Sequence, residues 1–152
     1  MISTVILLIV LLGFSYGLVS TTSLERAVRE QGLAREALRG QIELLRATTF
    51  EDVLQRFEGA SFDVPGLAAR PDDADGHVGT VVFPISEDGE LLEDLDLPAL
   101  GMPRDLTGEG DVDDLDHHAD YHILPVLVRI EWRGSAGDSV LEMSTMLKRM
   151  RP

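Results

Sequence analysis

The run Asp105-Leu106-Thr107-Gly108-Glu109-Gly110-Asp111-Val112-Asp113-Asp114-Leu115-Asp116 places side-chain oxygens at positions 1, 3, 5, 9 and 12 of a twelve-residue segment. Gly110 stands at position 6, where a chain wrapping an ion must turn sharply, and Asp111 at position 7 can offer its backbone carbonyl. Asp105, Thr107, Glu109, Asp111, Asp113 and Asp116 are therefore candidate ligands of a hard divalent cation. An all-oxygen set favours calcium over zinc. Between Glu87 and Asp120 there are 13 acids and one Arg, Arg104. Charge of one sign at that density repels itself, and a bound divalent ion relieves the repulsion. A solvated acidic turn is the plainer reading of the same residues; the placement of Gly110 weighs against it.

The spacing resembles the EF-hand type of calcium loop, and most closely its dockerin variant, which closes on Asp rather than Glu, as Asp116 does here. Thr107 and Glu109 depart from the usual Asp or Asn, which the resemblance implies will weaken the affinity. His117, His118 and His122 follow at once. Were residues 115–121 helical, His118 and His122 would share a face, a spacing suited to zinc or to catalysis. No Cys accompanies them and Pro125 would soon end such a helix, so their expected role is to cap or neutralise the acids. Nowhere is there a Gly-x-Ser-x-Gly elbow, a phosphate-binding glycine loop or a dinucleotide glycine pattern, and no enzymatic role is expected.

Composition narrows the partners. The 152 residues carry 27 acids against 13 Lys and Arg, a formal net charge of −14. Nucleic acid and anionic lipid need basic patches, so neither is an expected partner of the acidic part. With no Cys, a disulfide framework and thiolate metal sites are excluded. The fold must be held by packing and, if the acidic loop does bind, by a cation.

The first 60 residues supply the element to pack on. Met1 to Ser20 is apolar and uncharged, with no polar face from Ile2 to Val19, which suits a membrane helix or the core of an assembly better than a surface helix. About 18 residues at ~1.5 Å each span roughly 27 Å, the lower edge of a bilayer core. A cleavable signal peptide is the first rival, but no Lys or Arg precedes Arg26, and the small residues of Leu18 to Ser23 lead straight into helix-like sequence. From Leu24 the pattern turns one-sided: Leu24, Ala27, Val28, Gln31, Ala34, Leu38, Ile42 and Leu45 recur three or four apart between charged residues, and the Val28, Leu38, Ile42 and Leu45 face is expected to pack on the strand holding Val126, Val128 and Ile130. Without a Pro between Leu18 and Glu25, one continuous helix is expected. A second helix over Phe50 to Phe57 is signalled by Thr48 and Thr49 as caps and by Glu51 and Asp52 in its first turn.

Beyond Ala60 the helical period gives way to short pieces punctuated by Pro65, Gly66, Pro71, Gly76 and Gly79. Val78 to Ile85 reads as a strand, with a turn at Asp88-Gly89 and a weak partner at Leu91 and Leu92. The clearest hairpin pairs Leu124 to Trp132, alternating in period two, with Leu141 to Leu147 across a turn at Gly134 to Asp138. Pro125 puts the start of that strand at an edge or bulge. Three segments follow: 1–20 an apolar transmembrane or assembly segment, 21–58 its amphipathic helical continuation, and 59–152 a head of antiparallel sheet with the acidic loop.

This layout resembles the type IV pilins and their relatives, the pseudopilins and pilus modification proteins. It does so most specifically in Ile2 to Val19 and in Gln41-Ile42-Glu43-Leu44-Leu45-Arg46 at the helix end. The resemblance implies an α+β fold, with a long N-terminal helix, apolar then amphipathic, packed on a small antiparallel sheet. It implies a structural subunit in a type IV pilus or type II secretion-type filament. Its partners would be other such subunits, met through the helix, and the bacterial inner membrane, with the head extracytoplasmic or in an extracellular filament. The family's processing signature, a basic residue and Gly before a Phe-Thr-Leu-x-Glu type segment, is absent. Gly13-Phe14 cannot replace it, since cleavage there would leave only Phe14 to Val19 as apolar helix. Met1 is thus expected to match an internal position of the family helix. The alternative is a membrane-tethered, calcium-dependent binding module that does not polymerise.

Overall fold

A computed structural model describes residues 2–135 and 137–149, with side chains described from Ser23 onward. The chain is α+β, a helix packed on a four-stranded antiparallel sheet. Helix α1 is assigned over Ile2–Ala47. Among the described residues no helix is long and apolar enough to cross a membrane; the side chains of the apolar segment 1–20 lie outside those residues.

The one-sided stripe of α1 divides in two. Ala34, Leu38, Ile42 and Leu45 recur every three or four residues and are buried against the strands, while Arg35, Glu36, Arg39 and Glu43 face solvent. Val28 belongs to the same stripe and was expected in the core, yet it is 69% exposed, as Leu24 is at 63%. The reason lies in where the sheet stops. Glu30 accepts hydrogen bonds from the Ser135 backbone N–H and hydroxyl at the tip of the last hairpin, and the helix N-terminal to that contact has passed the end of the sheet.

Thr48 also departs from expectation. Instead of capping the next helix, its hydroxyl donates to the Leu44 carbonyl at 2.8 Å, joining the Thr48 N–H on the same acceptor in the last turn of α1. Thr49 takes the N-cap position of α2, Phe50–Phe57, without a side-chain bond. That helix has the expected bounds. It buries Val53, Leu54 and Phe57 and sets Glu51 and Asp52 in its first turn and Arg56 in its last, as the helix dipole favours.

The strands are β1 (Ser61–Phe62), β2 (Gly79–Val82), β3 (Ile123–Gly134) and β4 (Gly137–Lys148), side by side in chain order. In β3 Leu124, Val126, Val128 and Ile130 are fully buried and Trp132 nearly so; burial alternates from Val128 to Trp132, while Pro125 and Leu127 are buried on the other face as well. Val128 stands opposite Val81 on one side and Met143 on the other. Pro125 falls where β3 has only β4 beside it, since β2 pairs no further than Leu127 to Ile130. In β4 only Leu147 is buried, and Val140, Met143 and Met146 lie exposed along this outer strand.

β2 is shorter than the expected Val78 to Ile85. Pro84 has no N–H to give to a ladder, and Ile85 makes an isolated bridge to Leu91 instead. The reversal between them is the expected Asp88-Gly89 turn, with Gly89 at a φ of 85° and the Ser86 N–H donating to the Glu90 carbonyl.

Where β1 meets β2, Phe62 lies over Gly79. A Cβ on Gly79 would come within 2.4 Å of two ring carbons, so the glycine is required by contact and not by backbone conformation. Gly79→Ala is expected to cost about 1–3 kcal/mol through overpacking. Adding Phe62→Ala should cost less than its effect in the parent, because the clash then disappears. Urea midpoints of the two single variants and the double variant check this.

Candidate metal centre in the acidic loop

The long connection 83–122 between β2 and β3 carries all the candidate ligands. Buried Leu91, Leu100, Met102, Leu106 and Tyr121 anchor it to the core, with Tyr121 set against the Phe50 ring of α2 at 5.0 Å between centroids. Backbone hydrogen bonds then lay three pieces of the connection beside one another. The Arg104 N–H donates to the Glu93 carbonyl, the His117 N–H to the Leu91 carbonyl, and the His122 and Ile123 N–H groups to the Leu106 carbonyl.

Glu93 sits where these pieces meet. Its side chain is 2% exposed, and Oε1 accepts the backbone N–H groups of Leu106 and, at 3.1 Å, Thr107. Across from it lies the His117 ring, 8% exposed, with Nε2 at 2.9 Å from Asp113 Oδ1 and 4.0 Å from Glu93 Oε1. On the other side of the ring, Nδ1 lies 3.2 Å from Asp120 Oδ1. Burial by itself would lower the His117 pKa; the hydrogen bonds to Asp113 and Asp120 and the charge of Glu93 outweigh it and raise the value. Glu93, Asp113 and His117 each present a ligand atom within 4.8 Å of the others, and among the described residues they are the one group of three that does so.

The six ligands expected from the loop spacing are not gathered into one shell. Asp105 is turned onto its own loop, where it accepts the Gly108 and Gly110 N–H groups and the Thr107 hydroxyl. Those two N–H groups hold its carboxyl below the usual range. Asp113 accepts the Leu115 N–H as well as facing His117, and both lower its pKa, the backbone donor first. Asp116 faces the His118 ring at 2.6 Å and accepts the Leu91 N–H, a pairing that likewise holds it low. Glu109 and Asp111 are exposed. As arranged, Asp105, Asp113 and Asp116 serve three different sets of protein donors. A calcium ion bound by all six would require the loop to draw in.

Residues 115–121 form turns rather than a helix, so His118 and His122 do not share a helical face. His117 and His118 do meet acids, as expected of neutralising groups. His122 instead lies beside the Leu106 strap, its Nδ1 buried without a hydrogen-bond partner. Glu93 was not among the sequence candidates. The signal available was slight: Leu91 and Leu92 mark a strand partner just before it, which places it beside the core.

Comparison with known proteins returns no matching family profile, no matching characterised sequence and no matching solved structure.

Proposed function

We propose that this chain is a pilin-like structural subunit, a minor pilin, pseudopilin or pilus modification protein. It would act in assembly of a type IV pilus or type II secretion-type filament, through its helix and not through catalysis. One observation carries the reading: the apolar stripe of α1 runs on past the head, leaving Leu24 at 63% and Val28 at 69% exposure in line with the buried Ala34, Leu38 and Ile42. Exposed apolar positions on a regular helical stripe suit a helix that packs on neighbouring copies. The sequence before them, Ile2 to Val19, is uncharged and mostly apolar and extends the same expectation into the inner membrane. Helix on antiparallel sheet is the coarse architecture such a subunit requires.

The chain has no Cys, so one introduced thiol reports contact between copies cleanly. With Val28→Cys in cell membranes, mild oxidation should give a covalent dimer, whereas Asp72→Cys on the exposed side of the head should give none. No dimer from Val28→Cys, with the protein present in the membrane fraction, would favour the tethered module that never polymerises. That second reading draws on the acidic loop, whose closure on calcium would make ligand binding ion-dependent.

A further inference from the structure

We propose that Glu93, Asp113 and His117 form a binding site for one divalent transition-metal ion of the zinc class, with His117 bound through Nε2 and oriented by Asp120 at Nδ1.

A neutral imidazole carries one N–H, yet both ring nitrogens of His117 have a carboxylate oxygen at hydrogen-bonding distance, 2.9 Å and 3.2 Å. If Nδ1–H donates to Asp120, Nε2 is a bare lone pair buried in front of Asp113 and Glu93, three acceptors with no donor among them. In the other tautomer the same conflict moves to Nδ1. A second ring proton removes it but sets only one positive charge among three carboxylates; a divalent cation at the Nε2 side removes it and supplies two. The arrangement of the Nδ1 side is then the one that metal-bound histidines commonly have, a carboxylate accepting the second ring N–H and fixing the tautomer.

The rest of the geometry agrees. Bonds of about 2.0–2.2 Å to N and O set neighbouring ligand atoms roughly 3–3.5 Å apart. Nε2 to Asp113 is already close to this, and Nε2 to Glu93 at 4.0 Å needs an adjustment of under about 1 Å. Glu93 is held in place by the Leu106 and Thr107 N–H groups, which donate to Oε1, the same oxygen that lies 4.0 Å from Nε2 and that an ion would share with them. Asp113, 45% exposed, forms the open wall by which an ion would enter. A nitrogen ligand with two carboxylates suits zinc and its neighbours and suits calcium poorly. The site is therefore distinct from the all-oxygen set of the loop, although Asp113 belongs to both.

Calorimetric titration of the full chain in detergent micelles with zinc at pH 7.5 tests the proposal. One ion should bind per chain, and a tenfold excess of calcium should not displace it. Asp113→Asn and His117→Gln should each abolish binding, and Asp120→Asn should weaken it about tenfold to hundredfold. Asp105→Ala should leave zinc affinity within about threefold while removing any calcium binding. In the NMR spectrum zinc should shift the ring signals of His117 and leave those of the exposed His77, paired with Asp63, in place. Should His117→Gln fail to fold, Asp113→Asn at the surface decides. No zinc binding, or binding unchanged in Asp113→Asn, would overturn the proposal and leave His117 as an imidazolium held among three acids.

Discussion

Leu38→Ala is expected to destabilise the head by about 2–5 kcal/mol, the range for removing a fully buried leucine without collapse of the space left behind. Leu38 is 0% exposed in the middle of the buried stripe of α1, between Ala34 and Ile42, and the strands it meets include the rigid alternating face of β3. β3 is paired on both sides over Leu127 to Ile130 and has little freedom to move into the cavity, which places the loss toward the upper part of the range. Val28→Ala, ten residues earlier on the same stripe, should change stability by less than about 0.5 kcal/mol, as surface substitutions do. Urea unfolding of the two variants checks the contrast. Equal losses would mean that the helix packs on the head along its whole amphipathic length.

The second large effect concerns Glu93. Removing its carboxylate with Glu93→Ala strands the N–H groups of buried Leu106 and partly buried Thr107, at about 1–3 kcal/mol for each unsatisfied donor. The variant should accordingly lose about 2–6 kcal/mol, while Glu93→Gln, which keeps a carbonyl oxygen at the site, should lose far less. Hydrogen exchange gives a local reading: the amides of Leu106 and Thr107 should exchange markedly faster in Glu93→Ala and stay protected in Glu93→Gln. If Glu93→Ala unfolds at the parent's urea concentration, the carboxylate is not what holds residues 104–107 in place.

These two residues also mark the boundary between what is local and what is not. The stripe containing Leu38 is legible because α-helix geometry returns every third or fourth side chain to one face, whatever lies opposite. The alternation of Leu124 to Trp132 is legible for the same kind of reason, as is the Asp88-Gly89 reversal, whose glycine takes a positive φ. The start of α2 follows from Thr49 as cap with Glu51 and Asp52 in the first turn.

Where the stripe stops being core was not legible, since Val28 and Leu38 are equivalent in any local pattern and differ only in whether a sheet lies beneath them. The acidic connection shows the same limit more sharply. Its twelve-residue spacing drew attention to Asp105 through Asp116, and the structure instead brings Asp113 to Glu93, twenty positions away, and to His117. His117 and His118 are neighbours of the same type, yet one is buried among three carboxylates and the other is partly exposed beside Asp116. The sequence by itself determined the helix, the hairpin, the excess of acid and the absence of thiols, because these depend on backbone periodicity and on composition. Tertiary structure alone decided which acid among thirteen is buried. That choice depends on three distant pieces of chain being laid together by the hydrogen bonds of Leu91, Glu93 and Leu106.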